Sequence, residues 1–141
     1  MIEAIHPAQV VEVWQHAEPD ISAALARSGE YTAHDMLVKL VTGNAQLWRV
    51  YGAWAITEIQ TFPRKRVALL TALGGVFAKD HVREMRDVLY QWARHYQADE
   101  IRIVGRRGWL RYLPECHETT VLTCSLPRVP SIPLTQSAKA A

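Results

Sequence analysis

From position 67 the chain reads Val67-Ala68-Leu69-Leu70-Thr71-Ala72-Leu73-Gly74-Gly75. After Val76-Phe77-Ala78-Lys79-Asp80 comes a long stretch carrying Val82, Met85, Leu89, Trp92, Ala93 and Tyr96, then Ile101-Arg102-Ile103-Val104. The first run is a continuous apolar stretch that reads as a strand. The glycine pair ends that strand, and Asp80 caps a helix whose apolar residues recur with a helical period. Strand, long crossover helix and short strand make a parallel unit.

Upstream, Gln46-Leu47-Trp48-Arg49-Val50-Tyr51 alternates, Gly52 turns the chain, and residues 53–62 are rich in β-branched and aromatic side chains. Pro63-Arg64-Lys65-Arg66 is a basic turn leading into the run at Val67. Three consecutive antiparallel strands followed by a parallel partner give a mixed sheet. A short alternating start, Ile2 to His6, adds a strand. Pro7 opens a helix with Val10, Val13, Trp14 and Ala17 on one stripe, which Pro19 interrupts. Asp20 starts a second helix that Gly29 stops, and Thr32 with Asp35 forms a capping box before Met36, Leu37, Leu40 and Val41, with Gly43 as the stop. Beyond the parallel unit, residues 105–114 read as a loop and short helix, and residues 117–126 as a final strand. The fold class is α+β, with a central mixed, twisted sheet of about six strands and helices on both faces.

A chain of 141 residues with 49% hydrophobic content organises one core, set at residues 1–126; 127–141, with three prolines, form an extended or flexible arm. A formal charge of +2 creates no field that calls for nucleic acid or an anionic membrane. No apolar run is long enough to cross a bilayer, and the start lacks a basic, then apolar, leader, so the chain reads as soluble and intracellular. Cys116 and Cys124 fall on one face of the expected last strand, too far apart for a disulfide, with Cys124 in the core. Two cysteines and His117 without a paired motif make no metal site. Five tryptophans exceed what a small core easily encloses, so an exposed aromatic patch is expected.

The element order resembles the GNAT acyltransferase superfamily over residues 1–126. Gly29-Glu30-Tyr31-Thr32, Gln46-Leu47-Trp48, Thr57-Glu58-Ile59, Phe62-Pro63-Arg64-Lys65-Arg66 and Gly105-Arg106-Arg107-Gly108-Trp109 are similar to small GNAT-like proteins of tailed bacteriophages. The resemblance implies acetyl-CoA lying where the fourth and fifth strands part, with its pyrophosphate on backbone N–H groups at the start of the long helix. Such amides, with the helix dipole, bind anions in general. The matching residues are Leu73, Gly74, Gly75, Lys79 and His81. The family's loop runs Arg or Gln, two residues, Gly, any residue, then Gly or Ala. This loop keeps two glycines and a lysine without the Gly-x-Gly spacing, and Asp80 adds a negative charge.

Glu58, in the middle of the third strand, is the candidate general base, provided that it is buried; a solvent-facing strand residue is the alternative. The resemblance places Tyr112 where family enzymes carry a tyrosine that protonates the leaving thiolate; packing at a helix end is its plainer role. The expected function is transfer of an acetyl group from acetyl-CoA to an amine acceptor, in a bacterial host cytoplasm. The alternative is a noncatalytic protein that retains the fold, associates with a virion or binds phage or host proteins, and has a degenerate cofactor loop.

Overall fold

The computed structural model describes residues 1–105 and 110–128. The elements in chain order are β1 (Ile2–Ile5), a 3-10 turn (Pro7–Gln9), α1 (Val10–Leu25), α2 (Ala33–Val41), β2 (Gln46–Val50), β3 (Gly52–Thr61), β4 (Arg66–Val76), α3 (Lys79–His95) and β5 (Glu100–Ile103). The sheet order is β1-β2-β3-β4-β5. The first four strands pair antiparallel and β4 pairs with β5 in parallel, so the expected mixed sheet is present.

Strand alternation sorts the core into two layers. Leu47, Trp54, Ile56 and Ala72 pack with Ala17, Ile21 and Leu25 of α1 and with Met36 and Leu40 of α2. Trp48, Val50, Ala53, Ala55 and Leu70 face the other way, onto Met85 and Leu89 of α3. Helices cover both faces, which is why residues 53–58 of β3 are all buried. No helix among the described residues is long and apolar enough to cross a membrane.

Several expectations are corrected. Pro19 does not break α1, which runs through it. The ring and Gln15, whose carbonyl loses its partner, lie on the exposed side, while Ala17, Ile21 and Leu25 keep an unbroken buried stripe. The glycine pair does not end β4: Gly74 and Gly75 pair with Trp54 and Ala53, and the strand continues to Val76. Ala78, not Asp80, is the N-cap of α3. Five strands are present among the described residues; residues 117–126 are exposed and form no strand, so Cys124 is an exposed free thiol rather than a core residue. Without a neighbouring strand there, the alternating threonines and hydrophobics have no ladder to join.

Of the tryptophans, Trp48 and Trp54 are buried, and Trp14 and Trp92 pack against the two layers; Trp109 lies outside the described residues, as do 129–141 of the arm. The described tryptophans therefore build no exposed patch. The Thr32–Asp35 capping box is present in both directions, with Asp35 N–H donating to Thr32 Oγ1 at 3.2 Å and Thr32 N–H to Asp35 Oδ2 at 2.8 Å.

Candidate functional site

Glu58 lies where β3 outruns β2: Gln46 pairs with Thr57, and no β2 residue stands opposite Glu58. Alternation sends it to the face of α1 and α2 with Trp54 and Ile56, and it is only 5% exposed. A carboxylate taken this far from water needs partners for its charge. Lys39, near the end of α2, donates from Nζ to Glu58 Oε1, and Thr71 Oγ1 donates to Oε2 at 2.6 Å. The hydrogen bond to Glu58 raises the Lys39 pKa above the usual lysine value, outweighing the opposing effect of desolvation. The same Nζ lies 5.0 Å from the centre of the Tyr31 ring, in the connection between α1 and α2, so the ammonium rests between a carboxylate and an aromatic ring.

Thr71 owes its place to an irregularity in the sheet. Ile56 pairs with Ala72 and Thr57 with Leu70, leaving Thr71 as the extra residue of a bulge. A bulge unpairs its residue and re-aims its side chain. The bulge falls where β4 leaves β5: among the described residues Leu70 with Ile103 is the last parallel pair, and 71–76 pair only with β3. Behind Glu58, on the α3 face, Trp48 Nε1–H donates to Thr57 Oγ1 at 2.9 Å and fixes the strand from below.

After that free edge the chain enters α3 through Phe77 and Ala78. The first-turn amides of any helix lack partners within it and favour anions. Here the His81 ring occupies part of that end. Its Nδ1 accepts the Ala78 N–H at 3.3 Å, and the ring stacks on Tyr51 with centroids 3.5 Å apart and planes at 6°. Tyr51 sits in the left-handed region (φ 56) at the β2–β3 turn and donates its hydroxyl to Glu84 at 2.5 Å, which raises its pKa. Lys79 and Asp80 are exposed beside it.

The glycines have a packing role that the sequence did not disclose. A Cβ on Gly74 would lie 2.2 Å from the Asp20 carbonyl oxygen of α1; one on Gly75, whose φ is +104, would lie 2.8 Å from the Gly52 carbonyl oxygen. Gly74 thus lets α1 settle against β4, and Gly75 accommodates β3. Leu73 is half-buried and packs into the α3 layer. Tyr112 is half-buried after a single turn at 110–111, and no hydrogen bond among the described residues joins it to Glu58. Arg106, Arg107 and Trp109 lie outside the described residues.

The structure therefore brings together Glu58 of β3, Thr71 of β4 and Lys39 of α2; the segment from Leu73 to His81 follows Thr71 along the rest of β4 and into α3. Lys39 and Thr71 went unread as site residues. Thr71 carried a signal, as the single polar residue in the apolar run 67–73. Lys39 carried a weaker one, a lysine beside Leu40 on the border of an amphipathic helix. A cleft of about 560 Å³ opens on the other side of Glu58, between residues 4–7, 43–46 and 57–59 and the Trp92 and Tyr96 rings at the far end of α3.

No family model matches the sequence, and no curated protein matches it. Solved structures do match by shape. A structure described as a probable acetyltransferase superposes with a TM-score of 0.65 at 11% identity, covering 92% of this chain and 99% of that one. A "predicted acetyltransferase with acetyl-CoA" from Clostridium acetobutylicum has a TM-score of 0.61 at 14% identity, covering 90% and 95%. An apo aminoglycoside 6'-N-acetyltransferase from Acinetobacter haemolyticus reaches 0.60 at 14% identity, covering 92% and 99%. The chain has the fold of the GNAT acetyltransferases, and at these identities the likeness is one of fold; it carries nothing about a bacteriophage source.

Proposed function

We propose that the chain is an acyltransferase that takes acetyl-CoA as donor and an amine as acceptor. The observation that carries this reading is the buried Glu58 bonded to Thr71 at the bulge, where β4 parts from β5. The residues fit the donor: the β4 edge over 71–76 offers backbone groups on its β5 side, and the first turn of α3 with Lys79 offers amides and a positive charge to a diphosphate. Bound there, acetyl-CoA supplies a thioester whose acetyl group an amine can take.

The chain's own part is proton handling and placement. Glu58 is held on two sides, so its carboxylate has a fixed direction, and burial keeps bulk water from competing for it. It takes a proton from the incoming ammonium, so that the amine attacks as a neutral nucleophile. Tyr112 is proposed as the acid for the departing thiolate, and Leu73, Gly74, Gly75, Lys79 and His81 as the donor-binding segment.

A second reading rests on one observation. The Ala78 amide at the head of α3 is already capped by His81, and Asp80 stands beside it, both of which disfavour a diphosphate. That arrangement suits a noncatalytic protein that retains the fold and binds other proteins. Calorimetric titration with acetyl-CoA separates the two. Micromolar binding, abolished by Lys79→Glu, supports the acyltransferase; no heat and no thermal shift at ~1 mM ligand supports the noncatalytic protein.

A further inference from the structure

Both oxygens of Glu58 are engaged, and the partner on Oε1 is itself a primary amine. An external acceptor would have to share that oxygen with the Lys39 ammonium. Lys39 thus already has what an acceptor needs: its nitrogen touches the base, an aromatic ring lies 5.0 Å away, and the base is bonded to the bulge residue at the mouth of the β4–β5 gap. The side chain is 32% exposed, so the contact is not sealed from a ligand entering that gap. The other described lysines are placed differently. Lys65 pairs with Glu100 across the sheet's edge, and Lys79 is exposed at the head of α3, away from any buried carboxylate.

We propose that Lys39 is an acetylation site on the protein itself, modified in cis by the acetyl-CoA that the preceding reading places in the gap. The inference rests on that reading. Glu58 takes one proton from the Lys39 ammonium and passes it to solvent. The freed Nζ lone pair attacks the thioester carbonyl carbon, the carbon–sulfur bond breaks, and the thiolate leaves with a second proton as free coenzyme A. The product is an amide at Nζ. Acetylation also removes the positive charge, so Glu58 Oε1 loses its ion-pair partner and becomes open to an outside amine. Lys39 is then a plug that the enzyme's own chemistry withdraws.

The test incubates the full chain with acetyl-CoA, maps acetylated lysines by peptide mass spectrometry over time, and measures acetyl-CoA binding by calorimetry on the same samples. The expected result is acetyl on Lys39 well before Lys65 or Lys79. The rate should be independent of protein concentration and slowed by ~100-fold or more in Glu58→Gln, the span of a lost general base. Lys39→Arg, which keeps the charge against Glu58, should fold, bind acetyl-CoA and take up no acetyl at that position. Binding with Lys39 acetylated no faster than Lys65 and Lys79 overturns the self-acetylation and leaves the acyltransferase reading standing. Absence of binding overturns both.

Discussion

Replacing Gly74 by alanine tests whether the glycine serves α1 or a ligand. The new Cβ would stand 2.2 Å from the Asp20 carbonyl oxygen and 2.8 Å from its carbon, both backbone atoms of a helix that cannot swing aside as a side chain can. To reach even the 3.0 Å floor of real contacts, α1 has to lift from β4 by roughly an ångström. That movement opens the layer in which Ala17, Ile21 and Leu25 meet Ile56 and Ala72. A gap of ~0.5–1 Å forfeits a quarter to a half of each contact's dispersion energy, and overpacking of this kind costs about 1–3 kcal/mol. With three buried side chains affected, the upper end applies, about 3 kcal/mol, or a fall in Tm of roughly 10 °C for a domain of this size. Urea unfolding followed by tryptophan fluorescence reads it as a lower midpoint at unchanged slope. A loss below ~1 kcal/mol would refute the packing account. A variant of near-native stability that no longer binds acetyl-CoA would return Gly74 to the ligand.

The remaining predictions concern single contacts. Thr32→Ala removes one half of the α2 capping box and should cost about 1 kcal/mol in urea unfolding, with Thr32→Ser close to wild type. Lys39→Met strands the Glu58 carboxylate and should destabilise more than the double variant Lys39→Met/Glu58→Leu, in which the pair is replaced by hydrocarbon; equal losses would deny the coupling. Burial, helped by the hydrogen bond to Glu115, pushes the Tyr90 phenol up to about 12. Because the folded value lies above the ordinary value near ~10, Tyr90's contribution to stability is whole below pH ~10 and fades as pH rises through about 12. Tyr90→Phe should flatten the alkaline limb of stability against pH, and an unchanged limb would contradict this.

The sheet was legible because its pattern is local: alternation in 46–51, the basic turn at Pro63, the apolar run from Val67 and the helical stripe of α3 each state their own period. Pro19 misled because proline's cost is judged for an isolated helix, whereas a buried stripe on the opposite face holds α1 together. Residues 117–126 misled because alternation signals a strand only where another strand offers a partner. Glu58 was legible as a chemical oddity in an apolar strand. Its partner Lys39 was not, since that contact joins two elements across nineteen positions of sequence and depends on how α2 lies on the sheet. The role of Gly74 was hidden for the same reason: the atom that demands it belongs to α1.

The two outermost strands, β1 and β5, are only four residues each, and they carry Glu3, Glu100 and Arg102. An exposed strand edge invites a neighbouring molecule to extend the ladder, and short length with charged side chains discourages it. Arg102 and Lys65 both hold Glu100, so β5 presents a knot of opposite charges where a sticky rim would otherwise run. Short length and charged side chains thus blunt both ends of the sheet, and exchanging Glu100 and Arg102 for threonine and valine would remove the charges that do so on β5.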